Sequence, residues 1–510
     1  MKKTILSSLL LLSQFALAQE KTLSEKIDSV FKDNTTWFVE SMNSPIHFPG
    51  GVEVPWVLVV LVTAACFFTL YFGFINFRGF GLAVDIVRGK YDDLENKGSE
   101  GTSGNGEVSH FQALATALSA TVGLGNIAGV AIAISIGGPG ATFWMIIAGL
   151  LGMTTKFVEC TLGLKYRDID ADGTVHGGAM YYLTKGFAKK GDFLGVIGKI
   201  LAVFFAIFCV GGSFGIGSMF QANQAFKAFE GITGGENSFI FGKGLYFGIA
   251  VSILVGVVII GGIKSIARVT DKLVPFMVGT YCLAGLFILF ANYQAIPQAF
   301  CQIFSGAFHA EGIAGGVIGA MISGFKRAAF SNEAGIGSAP IAHSAAKTNY
   351  AASEGLVALL EPFIDTVVIC TMTALVIVVS NVDGSVMQYG QKVSEGVLAT
   401  SVAFKETLSF FPYILSLVVM MFAISTMISW SYYGLQAWTY LFSKSKFSEY
   451  LYKIIFCITI WIGSAASLNA VIDFTDAMIF AMMVPNIIGL VVLLPEVKEE
   501  LNRYLQAIKK

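Results

Sequence analysis

Eleven long apolar runs dominate this sequence of 510 residues. Each run is close to the roughly 20 residues that a helix needs to cross a bilayer. Only 13% of the residues are charged, about half the share found in an average soluble domain. These observations predict an all-α integral membrane protein with about 11 transmembrane helices, placed near 54–77, 111–136, 141–164, 194–222, 244–262, 273–291, 312–340, 355–380, 409–442, 448–466 and 471–494.

The N-terminus has the pattern of a secretory signal peptide. Lys2 and Lys3 form a basic start, an apolar core follows, and Ala16-Leu17-Ala18 is a small-residue cleavage site. An uncleaved anchor helix is the alternative, but the apolar core is short for a span. We therefore expect a signal peptide over 1–18 and a periplasmic amphipathic segment over 19–53, since apolar residues recur at helical spacing in 22–42.

The basic residues of the loops predict the orientation of the spans. With the first span running inward, 21 lysines and arginines fall in cytoplasmic stretches and four in the outer loops between spans. We expect a multi-pass protein of the inner (plasma) membrane, with a periplasmic N-terminus and a cytoplasmic C-terminus. Its net charge of −1 offers no basic surface for a nucleic acid.

The spans divide into a leading helix and two equal blocks. An extra N-terminal span at 54–77 is followed by a cytoplasmic linker at 78–110. Its stretch 91–107 is rich in Gly, Ser and acidic residues and is expected to be flexible. Spans two to six occupy 111–291, spans seven to eleven occupy 312–494, and a cytoplasmic tail covers 495–510. Five spans are an odd number, so the second block begins on the opposite side of the membrane. This predicts an inverted repeat, as in many secondary transporters, although a chance division of unrelated helices is the alternative.

The first helix of the first block contains a candidate break. The stretch Ala117–Gly129 holds Ser119, Thr121, Gly123, Gly125 and Asn126 at mid-membrane depth. Glycine lowers the cost of leaving helical geometry, and the freed N–H groups suit a carboxylate. Released carbonyls suit a dehydrated Na⁺. A small-residue packing seam through Gly125 and Gly129 is the alternative, but it leaves the polar side chains without a role.

The matching helix of the second block carries charges. Ser323–Pro340 contains Lys326, Arg327, Asn332 and Glu333. Charges inside a span are costly unless they pair or reach water. We expect Lys326 or Arg327 to pair with Glu333 or to reach an aqueous vestibule. The alternative is a helix that ends early at the membrane surface with these charges solvated.

Further polar groups lie inside other spans. Glu361 and Asp365 are four residues apart around Pro362, and a structural pair is favoured over an ion ligand for them and for Lys156 and Glu159. The ninth run offers hydroxyls that suit a hard cation, although bonding back to the helix is an equal alternative. Gln221 and Asn223 follow a Gly-rich stretch and are candidate ligand contacts.

One apparent enzyme motif is not supported by its context. Gly211-Gly212-Ser213-Phe214-Gly215 matches the nucleophile-elbow pattern, but it lies in a membrane helix and not in a strand-to-helix turn. The five histidines fall in loops or at helix ends, and the seven cysteines are spaced singly. We therefore expect no enzyme activity, no disulfide framework and no structural metal site.

Several stretches resemble the alanine/glycine:cation symporter family. They are Ala117–Ala131, Gly177–Tyr182, Gly324–Pro340 and Glu354–Thr366, and the Phe330-Ser331-Asn332-Glu333-Ala334-Gly335 run is highly specific. The similarity covers roughly 54–494 and leaves out the N-terminal segment. It implies a sodium- or proton-coupled carrier of small amino acids with a leucine-transporter-like five-plus-five inverted repeat.

The resemblance also implies roles for individual residues. Thr121, Gly123 and Gly125 would hold the amino-acid carboxylate, with Asn126 on the substrate or an ion. Phe330, Ser331 and Asn332 would meet the amino group or side chain at the second break, and Thr426 and Trp430 would close the pocket. Sodium would take the Ser119 and Val122 carbonyls with the Ser425 and Thr426 hydroxyls.

The expected activity is Na⁺-coupled uptake of alanine or glycine by a monomer that alternates access across the bilayer. Trp430 and Phe330 are the expected size filters. A proton-coupled carrier using Glu333 or Glu361 is the alternative, and a passive channel is a weaker one because broken helices in both blocks favour a carrier.

Overall fold

The structure, a computed structural model, describes residues 23–48, 52–96, 106–309, 316–393, 395–466 and 468–509. The predicted signal peptide at 1–18 lies outside the described residues. Within them the protein is predominantly helical, with two short antiparallel strand pairs.

The N-terminal part forms a helix, a hairpin and a short apolar helix. Helix α1 covers Leu23–Met42, strands β1 (Pro45–Phe48) and β2 (Val52–Pro55) pair antiparallel, and α2 covers Trp56–Tyr71. The Trp56 indole N–H donates to the Ser41 carbonyl at 3.1 Å and holds the hairpin to α1. The hairpin was not expected from the sequence, because its residues lack an extended alternating pattern, and α2 is shorter than the predicted span at 54–77.

The linker after α2 is partly helical. Gly73 and Phe74 turn the chain at positive φ (57° and 59°), and three short helices follow: α3 Ile75–Arg78, α4 Phe80–Val87 and α5 Asp92–Asn96. Glu95 in α5 is only 1% exposed. The expectation of a flexible linker is therefore wrong for α5, where side-chain bonds described below hold the helix against the spans.

The first block begins with a bent helix pair. Ser109 and Gln112 form a capping box at the start of α6, and α6 meets the next helical segment at 56°. Strands β3 (Asp168–Ile169) and β4 (Val175–His176) make a second small pair. The helices of this block are α6 His110–Thr121, α7 Ala128–Gly137, α8 Gly140–Lys165, α9 Ala179–Ala188, α10 Asp192–Phe214, α11 Phe220–Ile232, α12 Gly244–Ile259 and α13 Gly262–Ala291.

The second block also begins with a broken helix and is preceded by α14 (Ile296–Phe308), a helix in the predicted loop. A π-helical stretch at Phe363–Cys370 interrupts its second span. The remaining helices are α15 Gly316–Asn332, α16 Ala339–His343, α17 Ala351–Ala358, α18 Leu360–Pro362, α19 Thr371–Ser380, α20 Gly396–Thr407, α21 Phe411–Leu441, α22 Lys446–Ala465 and α23 Leu468–Ala507. Helix α23 continues past Pro495, so most of the predicted tail at 495–510 is helical.

The described residues include six helical stretches that are long and apolar enough to cross a membrane, and the bent pair of α6 and α7 makes a seventh. The expected count of eleven spans stays a prediction. Large apolar side chains such as Phe193, Leu283 and Phe290 are exposed on the outside, as expected where lipid replaces water. Helix α8 lies inside and packs against α15 and α17, while α6 packs against α13 and α21.

Candidate functional site

Two side-chain amides accept hydrogen bonds from the backbone at the break between α6 and α7. Gly123 is extended (φ −139°, ψ −152°), and its N–H donates to Asn126 Oδ1 at 2.8 Å. The next N–H, of Leu124, donates to Gln221 Oε1 at 3.3 Å. Two N–H groups that the broken helix cannot satisfy thus point at Asn126 and Gln221, so both predicted residues lie at the break.

Three glycines bring the surrounding elements into close contact. A Cβ on Gly123 would lie 2.6 Å from Thr426 Oγ1, and one on Gly217 would lie 2.5 Å from Trp430 Cβ. A Cβ on Gly125 would lie 3.3 Å from the Phe330 ring. The backbone of the first break therefore packs against Thr426 and Phe330, and Trp430 packs against Gly217, as a compact site requires.

The second break follows α15 and contains three residues at positive φ. They are Glu333 (56°), Gly335 (90°) and Gly337 (89°). Asn332 stabilises this turn, because its Oδ1 accepts the Ala334 N–H at 3.0 Å and its Nδ2 donates to Thr366 Oγ1 at 2.9 Å. Both amide atoms of Asn332 are thus used inside the protein, which supports a structural role beside the one the resemblance implies.

Glu333 joins the second break to α21. Its Oε1 accepts the Trp430 indole N–H at 3.0 Å, and its Oε2 accepts the Ser338 hydroxyl at 2.5 Å. The Glu333 side chain is fully buried. A non-glycine residue at positive φ is uncommon and strained. These two bonds, one to each carboxylate oxygen, hold Glu333 in this conformation.

The predicted pairing of Lys326 or Arg327 with Glu333 is wrong. Lys326 Nζ and Arg327 Nη2 lie 2.9 and 2.7 Å from Asp476 Oδ2 on α23. The Arg327 guanidinium also lies over the Phe330 ring, 5.3 Å from its centroid. Both side chains therefore face Asp476 on α23 and not Glu333 in the turn.

Asp365 is the central residue that sequence reasoning left out of the candidate site. Its Oδ1 accepts Asn126 Nδ2 at 2.6 Å, and its Oδ2 accepts the hydroxyls of Ser331 at 2.8 Å and Thr366 at 2.7 Å. The side chain is fully buried. Among the described residues, no basic side chain forms an ion pair with this carboxylate.

A π-helical stretch explains why Asp365 was misjudged. A regular helix would place Glu361 and Asp365 on one face, which suggested a structural pair. The insertion at Phe363–Cys370 changes the register, so Glu361 faces Lys156 at 2.9 Å while Asp365 faces the first break. An acidic residue three positions after a proline in a span was the available signal, and π-helical stretches are frequent at functional sites.

The predicted sodium ligands are partly brought together. The Thr426 hydroxyl donates to the Ser119 carbonyl at 3.0 Å, and the Ser119 hydroxyl donates to the Ser425 carbonyl at 2.8 Å. Val122, at the end of α6, is fully buried next to them. The Ser425 hydroxyl instead faces Phe422 O at 3.1 Å and Met277 Sδ at 3.4 Å, because Ser425 and Thr426 lie 100° apart around their helix.

The other polar candidates are bonded within the protein, and Asn486, the partner of Glu159, also donates to the Gly335 carbonyl of the second break at 2.9 Å. Thr121 donates back to the Ala117 carbonyl at 3.2 Å. Asn223 donates to the carbonyls of Gly463 and Ala466 on and just after α22, and Glu159 accepts Asn486 Nδ2 at 2.5 Å. Ser213 bonds to the Val210 carbonyl and the Tyr452 hydroxyl.

The arrangement brings together buried groups that suit a cation and buried groups that suit a carboxylate. An uncompensated carboxylate, helix-end carbonyls and hydroxyls are oxygen groups that suit a hard cation. N–H groups at a helix break suit the carboxylate of a small ligand. Phe330 and Trp430, both buried, limit the room beside them.

Comparison with known proteins shows the family of this chain. Residues 34–510 match the model of the sodium:alanine symporter family. The match begins at residue 34, so it includes part of the N-terminal segment that the sequence resemblance left out. The sodium/alanine symporter AgcS of Methanococcus maripaludis is 40% identical over 457 residues, covering 89% of this chain and 95% of that protein.

Two further proteins extend the comparison. The amino-acid carrier protein AlsT of Bacillus subtilis is 32% identical over 453 residues, covering 88% of this chain and 90% of that protein. The crystal structure of MhsT in complex with L-phenylalanine, a transporter of the leucine-transporter fold, matches with a TM-score of 0.54 at 14% identity, covering 76% of this chain and 89% of that chain. The match to MhsT concerns the fold alone. By its sequence match over nearly the whole length, this multi-pass membrane protein belongs to the sodium:alanine symporter family.

Proposed function

We propose that this protein couples Na⁺ entry to the uptake of a small neutral amino acid, alanine or glycine, by alternating access. The observation that carries the proposal is the carboxylate of Asp365. It is buried, accepts three hydrogen bonds, and has no basic partner among the described residues. A buried carboxylate without a counter-charge is costly, and a cation that travels with the substrate would supply that counter-charge.

The proposed sodium position lies where Asn126, Ser331 and Asp365 meet. The first break supplies Asn126, the second supplies Ser331, and the π-helical stretch supplies Asp365. An ion held there would tie both broken helices together. This position contains none of the groups that the resemblance implies for sodium. Of those groups, the Ser119 carbonyl and the Thr426 hydroxyl lie 3.0 Å apart.

The proposed substrate position lies against Gly123 and Gly125. The substrate carboxylate would meet the N–H groups near Gly123, which now donate to Asn126 and Gln221. Phe330 and Trp430 would limit the side chain to a small group. AgcS carries sodium and alanine in its name, which supports this substrate class.

The ion pairs around the site suggest how access alternates. Lys326 and Arg327 bridge α15 to Asp476 on α23, and we place this bridge on the periplasmic side in accordance with the basic-loop count. Its opening would admit substrate from that side. The protein would act as a monomer in the inner membrane, drawing on about 2.3 kcal/mol per charge per 100 mV of membrane potential.

Uptake of labelled alanine into proteoliposomes tests this function. An inward Na⁺ gradient should drive accumulation, and replacing Na⁺ with choline should abolish it. Unlabelled glycine should compete, whereas phenylalanine should not. No accumulation under a sodium or a pH gradient would overturn the substrate assignment.

Proton coupling is the second candidate. Accumulation driven equally well by a pH gradient would favour it and would assign the coupling role to Glu333 or Glu361. Both carboxylates are buried, but Glu361 pairs with Lys156 and Glu333 bonds to Trp430 and Ser338. Asp365 instead bonds to Asn126 and Ser331, one from each break, which is why we rank this candidate below sodium coupling.

A further inference from the structure

A string of six buried ionisable side chains runs from the linker into the protein, apart from the sodium and substrate positions. It contains three acidic and three basic residues in alternation: Glu95, His110, Glu354, His343, Glu361 and Lys156. All six side chains are at least nine-tenths buried. Six elements each supply one of them: α5, α6, α17, α16, α18 and α8.

Each inner residue of the string faces its two neighbours with two different side-chain atoms. Glu95 Oε2 lies 2.7 Å from His110 Nε2, and His110 Nδ1 contacts Glu354 Oε2. Glu354 Oε1 then lies 2.6 Å from His343 Nδ1. A purely structural ion pair does not need this order. An imidazole that bonds a carboxylate at each nitrogen can accept a proton on one side and release one on the other.

The string contains one longer step. His343 Nε2 lies 3.5 Å from Glu361 Oε2, beyond a normal hydrogen bond. Both atoms are buried, and neither has a hydrogen-bond partner within the described part of the chain. Beyond the step, Glu361 Oε1 lies 2.9 Å from Lys156 Nζ. Two unsatisfied atoms that face each other mark the place where a small movement would complete the string.

The outer end of the string reaches a water-accessible space. A polar cavity of about 290 Å³ is lined by Lys165, Thr348, Glu500 and Arg503, among others. The Thr348 hydroxyl donates to Glu95 Oε2 at 2.8 Å. Ser353 also donates to this oxygen, at 2.9 Å, and Tyr504 donates to Oε1 at 2.6 Å. Thr348 therefore both lines the cavity and bonds Glu95, on the side that the basic-loop count assigns to the cytoplasm.

Other ionisable groups lie near the string. Those that interact electrostatically with its members are Glu159, Cys160, Arg167, Glu333, Asp365, Tyr433 and Tyr504. None of them bridges the 3.5 Å step. When both imidazoles are protonated, the string balances three carboxylates against three cations, and one proton gained or lost changes its net charge by one unit.

We propose that these six residues form a proton relay between the cytoplasm and the protein interior, which exchanges a proton with cytoplasmic water during each transport cycle. Each transfer breaks one N–H or O–H bond and forms one on the next acceptor, and no electrons are exchanged. The step between His343 and Glu361 opens and closes as α16 and α18 move. The relay is separate from the proposed sodium position and rests on the proposed transport function only for its kinetic readout.

The first test measures Na⁺-driven alanine uptake in right-side-out vesicles whose inner and outer pH are set separately. The wild type should respond to the inner pH, by up to about tenfold per pH unit, the limit for one titrating proton. It should also slow in deuterium oxide. His343→Gln should lose both responses, because glutamine keeps hydrogen-bonding groups but does not titrate, while still binding Na⁺ and alanine in detergent.

His176→Gln is the matched control, since His176 is also a buried histidine with a polar partner at each ring nitrogen (Asp170 and Gln436, each at 3.0 Å) but lies outside the string. This variant should behave like the wild type. A His343→Gln protein that keeps the pH and isotope responses overturns the relay, and so does a wild type that shows neither response.

The second test needs no transport. The chain has only five histidines, so nitrogen-15 labelling of histidine gives few imidazole signals, which His110→Gln and His343→Gln identify. In a relay, the His110 and His343 signals should titrate together, and replacing either residue should shift the signal of the other. Independent titration of the two would overturn the relay. Absence of sodium-driven uptake by the wild type would overturn only the proposed function.

Discussion

The indole N–H of Trp430 donates to Glu333 Oε1 at 3.0 Å and so ties α21 to the turn at the second break. Glu333 is held at φ 56° within this turn. The bond therefore connects Trp430, which is expected to limit substrate size, with Glu333, the strained residue of the broken helix. Replacing one of them should alter the position of the other.

Trp430→Phe should impair uptake by leaving a buried carboxylate oxygen unpaired, which costs about 1–3 kcal/mol. Trp430→Ala should admit larger side chains or abolish uptake. Competition by leucine and phenylalanine against labelled alanine measures both effects. Trp438→Phe is the control, because Trp438 lies on the same helix and donates to Ser448 Oγ at 2.9 Å. Unchanged kinetics and selectivity of both Trp430 variants would contradict the placement.

Gly123→Ala should abolish uptake, because the new methyl group would lie 2.6 Å from Thr426 Oγ1. Gly129→Ala is the matched control, since a Cβ on Gly129 in the same bent pair meets no atom within 4 Å. Uptake by the two variants at equal expression is the measurement. Equal uptake would show that the contact between Gly123 and Thr426 is not needed for transport.

Asp365→Asn should weaken sodium binding while preserving the shape of the side chain. We expect the Na⁺ concentration for half-maximal uptake to rise at least about tenfold, equivalent to about 1.4 kcal/mol. Asp383→Asn, at an exposed loop position, should leave it unchanged. A normal sodium dependence in Asp365→Asn would place the ion elsewhere.

Asp476→Ala should destabilise the protein strongly, because it leaves Lys326 and the buried Arg327 without their anion. Breaking a buried pair costs about 3–5 kcal/mol. Thermal unfolding in detergent should show a large fall in midpoint for Asp476→Ala and a smaller one for the combined replacement of Asp476 and Arg327 by methionine. A fall in the double replacement as large as that of Asp476→Ala, or larger, would contradict this account.

Glu395 gives a pH-dependent contribution to stability. Burial raises the pKa of the Glu395 carboxyl, which accepts Gln224 Nε2 at 3.3 Å. The folded state then holds the proton more tightly than the unfolded state, so stability falls as pH rises from the ordinary value through the raised one. Glu395→Gln should melt higher than the wild type at pH 8, with little difference in acid. Glu236→Gln, at an exposed residue, should show no such difference, and a wild-type melting curve insensitive to pH over this range would refute the effect.

The helical fold was predictable because apolar runs of bilayer length allow few other structures. The break near Gly123 was also predictable, since glycine and Asn126 in mid-membrane have a specific physical meaning. The partners of the charged residues could not be predicted. Lys326 and Arg327 lie six or seven residues from Glu333 but pair with Asp476, about 150 positions later, and sequence spacing cannot reveal such contacts.

Two local features account for most of the remaining differences. The π-helical stretch at Phe363–Cys370 separates Glu361 from Asp365, and no residue pattern announces such an insertion. His110 and His343 appeared as residues at helix ends, which is correct for the chain but gives no hint of Glu354 between them. The relay is built from tertiary contacts across six elements, and for that reason it is invisible in any single segment.

The bond between Tyr504 and Glu95 has a consequence for how the protein is made. These residues are 409 positions apart, so at about 5–20 residues per second the ribosome needs roughly 20–80 s to deliver the second after the first. Until then Glu95 lacks its partner from the last helix. The buried region around Glu95 is thus completed only once Tyr504 has been made, and a ribosome that stops at the end of the last apolar run would release a protein in which Glu95 still lacks this bond.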